Sequence, residues 1–123
     1  MSEESNIQKA VFKWYCLQYP KYKRSFQSSL NGIFIPGTPK IRAQIVNSMK
    51  SQGMCVGQSD IFIALPRHGF HGKYIELKTL KGRPTKEQLE FGDDMVDQGY
   101  AFEIVKGLDA CRSAISSYMS ESL

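Results

Sequence analysis

Two strand patterns, followed by a helix and a third strand, constrain this chain more than any other feature. Residues 60–66, DIFIALP, form an apolar run closed by Pro66. An unbroken run of that kind predicts a strand over 60–65, buried on both faces. Residues 73–80, KYIELKTL, alternate instead. Tyr74, Glu76, Lys78 and Leu80 share one face, and Ile75 and Leu77 share the other. The link RHGFHG is loop-like, so the two strands pair as an antiparallel hairpin. A helix follows over 85–98, with Thr85 and Gln88 as a capping box and Gly99 as its stop. AFEIV, 101–105, is the next strand. A helix between strands 73–80 and 101–105 implies a right-handed parallel crossover. A hairpin and a crossover in one sheet make that sheet mixed, with helices against it.

The remaining elements fit this frame. The spacing of Ile7, Val11, Trp14 and Gln18 predicts a helix over 5–19, capped by Ser5 with Gln8 and ended by Pro20. KRSFQSS reads as a short strand and Asn31-Gly32 as a turn. Thr38 as N-cap and Pro39 at the first position open a second helix, with Ile41, Ile45, Val46 and Met49 as its apolar face and Gly53 as its stop. Gly92 inside the 85–98 helix predicts close packing against another backbone. A last helix spans 108–120, with Leu108, Cys111, Ile115 and Met119 on one side. The class is α/β, and 123 residues suit a single domain over 1–123.

Charge is uneven along the chain. Residues 1–50 carry eight bases and two acids, and residues 51–123 carry eight bases and ten acids. That split suits a chain that binds a polyanion with one part and a cation with another. No apolar run nears the roughly 20 residues of a membrane span, and the polar N-terminus is unlike a signal peptide, so no membrane partner is expected. Cys16, Cys55 and Cys111 are odd in number and lack a CxxC spacing. They suit neither a disulfide framework nor a zinc ribbon, and each reads as a small buried hydrophobe in a reducing cytoplasm.

The chemistry lies in Gly57-Gln58-Ser59-Asp60 and, sixteen residues after Asp60, Glu76-Leu77-Lys78. Asp60 opens one hairpin strand and Glu76 lies in the other, so their carboxylates can converge. Two such groups repel unless one is protonated or a cation sits between them. Oxygen ligands suit Mg²⁺ or Mn²⁺. The side chain of Leu77 points into the core, and its carbonyl is a candidate third donor. Lys78 shares the face of Glu76, where it can orient a water beside a metal. These residues together suit phosphodiester hydrolysis. The plain alternative is an exposed cross-strand Glu–Lys pair.

In this order, and with Gln88 on the next helix, the residues resemble the PD-(D/E)xK nuclease superfamily. Glu4-Ser5-Asn6-Ile7-Gln8 adds an E-x-x-x-Q similar to that of the VRR-NUC domain. Ser59 stands where that pattern usually has Pro. The resemblance implies a restriction-endonuclease-like three-layer fold, with a mixed central sheet flanked by helices. It implies DNA cleavage with Mg²⁺ or Mn²⁺, with Asp60 and Glu76 as metal ligands and Lys78 as the catalytic lysine. Glu4 would be a further acid and Gln88 a further site residue. Stand-alone members resemble Holliday-junction resolvases, which implies branched DNA as partner, a homodimer, and a bacterial or viral-host cytoplasm.

Lys81, Arg83 and Lys86 follow the catalytic strand and are candidates to grip a phosphate. Arg24 and His71 are further candidates for DNA contact. His68 and His71 have H-x-x-H spacing but no nearby Cys to complete a zinc site. Tyr15, Tyr19, Tyr22 and Phe26 interleave with Lys21, Lys23 and Arg24, a pattern suited to base stacking or, more simply, to core packing. A non-catalytic nucleic-acid-binding module and an RNA nuclease are the competing functional readings.

Overall fold

The computed structural model describes residues 2–29 and 34–120, so the Asn31-Gly32 turn lies outside the described residues. In chain order the elements are α1 (Glu3–Gln18), a 3₁₀ helix (Pro20–Ser25), β1 (Phe26–Ser28), α2 (Pro39–Ser51), β2 (Ile61–Ile63), β3 (Lys73–Lys78), α3 (Lys86–Asp97), β4 (Ala101–Lys106) and α4 (Leu108–Met119). The strands form one four-stranded sheet in the order β1-β2-β3-β4. β1–β2 and β2–β3 are antiparallel, and β3–β4 is parallel. The antiparallel hairpin and the parallel β3–β4 pairing both form, and the sheet is mixed.

One face of the sheet is closed by α1 and α4. Ile61, Ile63, Ile75, Leu77 and Val105 point into it and meet Val11 and Tyr15 of α1 and Cys111, Ile115 and Tyr118 of α4. Each of these is almost fully buried, and together they make the main apolar core. The other face is partly covered by α3. Gly92 lets α3 come close: a Cβ there would stand 2.3 Å from the Phe102 ring. The close approach is therefore to an aromatic side chain rather than to the backbone that the sequence suggested.

Several local expectations need correction. α1 starts earlier, with Ser2 as its N-cap: the Ser2 hydroxyl accepts from the Ser5 N–H. Glu3 and Glu4 then fall in the first turn, where the helix dipole favours acids. Ser5 is therefore inside the helix, and Gln8 donates to Ser28 Oγ at 3.1 Å instead of closing a cap. Of the strand expected over KRSFQSS, Phe26–Ser28 forms as β1, while residues 23–25 end a 3₁₀ helix, because Pro20 and the Tyr22 N–H to Tyr19 carbonyl bond tighten the chain before Phe26. β2 is not buried on both faces: Ile61 and Ile63 are buried, and Phe62 between them is half-buried. α2 forms where expected but has no buried residue. Its Ile41 and Ile45 stay exposed, while Arg42 and Val46 line a groove shared with the start of α1. Cys55 is exposed rather than buried, Cys16 is half-buried, and Cys111 alone fits the buried reading.

Candidate active site

Asp60 lies directly before β2, and Glu76 and Lys78 lie in β3. The register pairs Ile61 with Ile75, so Asp60 stands one step further on, opposite Glu76 and on the same face. The approach to Asp60 is set by Gly57. Its φ is +89°, and a Cβ there would stand 2.4 Å from the Glu87 carbonyl oxygen of α3. Only glycine lets this loop lie against the start of α3. Ser59 is buried and its Oγ has no hydrogen-bond partner. Asp60 is held by the backbone of the opposite strand: the Leu77 N–H donates to its Oδ2 at 2.8 Å. Leu77 thus contributes its backbone at the site, while its side chain is in the core.

Glu76 is 1% exposed, which is unusual for a charged side chain. Lys78 Nζ stands 3.3 Å from its Oε2. Its Oε1 is buried without a partner. Burial, followed by the nearby Asp60 carboxylate, pushes the Glu76 carboxyl up to about 8, and Lys78 pulls it back only in part. A buried carboxylate with one unpartnered oxygen, beside a second carboxylate and a lysine, is electrostatically unsatisfied.

A cavity of about 520 Å³ opens onto this pair and is lined by Glu4, Asp60, Glu76, Gln88, Gln58 and Lys50 among others. The structure therefore brings Glu4 and Gln88 to the same cavity as Asp60 and Glu76. Gln88 also closes the predicted cap, its Oε1 accepting from the Thr85 N–H at 2.8 Å. Lys50, which the sequence leaves open to solvent or a ligand, and Gln58 also line the cavity, though the sequence pattern did not assign them to the site. Lys50 comes from α2, and nothing in its own spacing marks it. Gln58 sits inside the Gly57–Asp60 stretch, and that position was the available signal.

The candidate DNA-contact residues divide. Lys81, Arg83 and Lys86 are exposed near the end of β3, and Lys86 pairs with Glu90 at 3.7 Å. Arg24 and His71 lie at the far end of the hairpin: the Ser25 carbonyl accepts from Ala64, and His71 precedes β3. Neither lines the cavity. His68 reaches the Ser117 and Tyr118 carbonyls at the end of α4, while His71 packs on Tyr100, so the two histidines part. Tyr15 and Phe26 are buried and pack together at 5.2 Å, with Tyr19 on the same cluster, so this aromatic run is core.

The donor chemistry fits a divalent cation. The Asp60 and Glu76 carboxylates supply oxygen donors, and the unpartnered Glu76 Oε1 is the kind of atom a cation satisfies. Among the described residues, no group of three or more His, Cys, Asp and Glu is placed to hold a metal. A cation here would draw on backbone or water oxygens beside the Asp60–Glu76 pair. Among the described residues, no helix is long and apolar enough to cross a membrane.

No protein-family model matches the chain, and no curated protein matches it. A solved structure described as a VRR_NUC domain protein superposes with a TM-score of 0.78 at 24% identity, over 97% of this chain and 89% of that one. The superposition covers the four-stranded mixed sheet and the helices against it. The chain thus has the fold of a VRR_NUC domain protein.

Proposed function

We propose that the protein is a Mg²⁺- or Mn²⁺-dependent endodeoxyribonuclease that hydrolyses phosphodiester bonds in branched DNA such as four-way junctions. The observation that carries this reading is the unsatisfied Asp60–Glu76 pair with Lys78 beside it. Asp60, Glu76 and the Leu77 carbonyl would hold the cation. In an extended strand the N–H and C=O of one residue point to the same side. The Leu77 N–H reaches Asp60, so its carbonyl faces that side too. Glu4, which lines the same cavity, would act directly or through a water.

When bound, the cation polarises a phosphoryl oxygen and lowers the pKa of an attacking water. The chain's own groups do the rest. The Lys78 ammonium, held by Glu76, orients that water and offsets the charge that grows on it. Asp60 is locked by the Leu77 N–H and so presents its other oxygen without reorganisation. A groove between α1 and α2 runs out from Asp60, with Lys9 and Arg42 on its walls, and would take a DNA strand away from the site. Lys81, Arg83 and Lys86 would grip phosphates on the α3 side. Resolving a junction takes two nicks, so the working form is proposed as a homodimer in a cytoplasm.

The test is one cleavage assay in Mg²⁺ and in Mn²⁺ with four-way, duplex and single-stranded DNA and with RNA. Cutting of the junction, lost in Asp60→Ala and Lys78→Ala, supports the reading. No cutting of any substrate, with salt-sensitive binding retained, would show a binding module instead, and cutting of RNA alone would overturn the DNA assignment.

A further inference from the structure

The sheet face that carries Asp60 and Glu76 is built in rows. Gln27, Phe62, Tyr74 and Phe102 are successive cross-strand partners over all four strands. Asp60 and Glu76 form the adjacent row, two residues or about 7 Å along the strands. The aromatic row is covered at one end and open at the other. Towards β4, Phe102 lies under Gly92 and Tyr74 meets Phe91 edge-on at 5.0 Å. Phe62 stacks on Tyr74 with centroids 4.3 Å apart and planes 25° apart. Gly72 makes room for its ring, since a Cβ there would stand 2.7 Å away.

Among the described residues, the ring partners of Phe62 are Tyr74 and Tyr100, both on its β3 side. On its β1 side stands Gln27, which is exposed. The row therefore begins with a half-buried aromatic face next to a free-standing amide, beside the catalytic row. A flat apolar face stacks on any base, and an amide can bond the edge of a base. A paired base in a duplex is already stacked and cannot present its face to a side chain rooted in a sheet.

We propose that Phe62 and Gln27 form a stacking site for an unpaired DNA base next to the phosphate that is cut. This inference rests on the nuclease reading and narrows its substrate to DNA with an unpaired nucleotide at the cleavage point. The probe is a four-way junction with an unpaired 2-aminopurine at its branch point, and a matched duplex with the same base paired, in metal-free buffer with the full chain. Stacking on Phe62 would quench the fluorescence of an unpaired 2-aminopurine in the junction. Phe62→Leu, which keeps the apolar volume, and the surface change Gln27→Ala should each reduce the quench. Phe62→Leu should also weaken junction binding by about tenfold and leave duplex binding unchanged. Phe62→Tyr should restore both.

An unquenched wild type, or variants that weaken junction and duplex equally, would overturn the stacking site. The wild-type quench needs no variant, so a misfolded Phe62→Leu does not spare the proposal. The two readings fail separately: a wild type that cuts no DNA in Mg²⁺ or Mn²⁺ overturns the nuclease, whatever the quench. A wild type that cuts junctions without quenching overturns the stacking site alone.

Discussion

β3 carries two lysine–glutamate pairs, one at each end and on opposite faces, and they are solved differently. Lys73 reaches Glu103 at 2.6 Å, and Glu103 is 47% exposed, so water completes its shell. Lys78 stands 3.3 Å from Glu76, which is 1% exposed, has one unpartnered oxygen and faces Asp60. The first pair is a satisfied partly buried contact of the kind that stabilises a fold. The second is left incomplete, and incomplete polar groups in a cavity are where chemistry is expected. The residue types are the same in both, and both lysines are in β3. Burial and the neighbouring carboxylate make the difference.

The strongest way to break this comparison is to neutralise one member of each pair. Lys78→Ala should lower cleavage by about 10³-fold, measured as single-turnover cutting of a junction, with an unchanged circular dichroism spectrum. Glu76→Gln should also abolish cutting, yet raise the melting temperature of the metal-free protein at pH 8, because it removes a buried repulsion. A Glu76→Gln protein less stable than wild type there would mean that Glu76 is satisfied after all.

The pH dependence comes next in size. Glu76 is pushed from 4.5 to about 8 by burial and Asp60. Between those values the folded chain holds a proton that the unfolded chain releases. Its contribution is fully present below about pH 4.5 and is lost as pH rises through about 8. Metal-free melting temperatures should therefore fall over that window through this group, and millimolar Mg²⁺ should recover the loss at the upper end. A flat profile in Glu76→Gln would assign the effect.

Lys73→Met should cost about 1–2 kcal/mol of stability and leave the cleavage rate within about twofold, since Glu103 can rehydrate. Smallest of all, Lys86→Ala breaks an exposed pair with Glu90 and should change stability by under about 0.5 kcal/mol. If Lys86 grips a phosphate, the same change weakens junction binding and makes it less steep in salt.

Much of this was legible from residue order. The alternation of KYIELKTL placed Glu76 and Lys78 on one face, and the crossover followed from the helix between two strands. The capping signals at Thr85 and Thr38 were correct because they are local. What failed depended on partners far along the chain. Ser5 was a valid cap in isolation, but Ser2 offered the same hydroxyl one turn earlier. The aromatic run at Tyr15 to Phe26 is core, in line with its simpler reading, while the half-buried aromatic row is assembled from β2, β3 and β4 and has no spacing of its own. Lys50 enters the cavity only because α2 lies beside it. The unpartnered Oε1 of Glu76 is a property of packing that no pattern of letters contains.

Gly57 carries a consequence for how this chain tolerates change. Its loop rests backbone against backbone on α3, and three residues later comes Asp60. The placement of that acid is thus secured by the absence of a side chain. One added methyl group at position 57 would have to lift the loop from α3, taking Asp60 away from Glu76 with it. A lineage could keep every acid and the lysine and still lose their convergence through a single substitution that alters no charge.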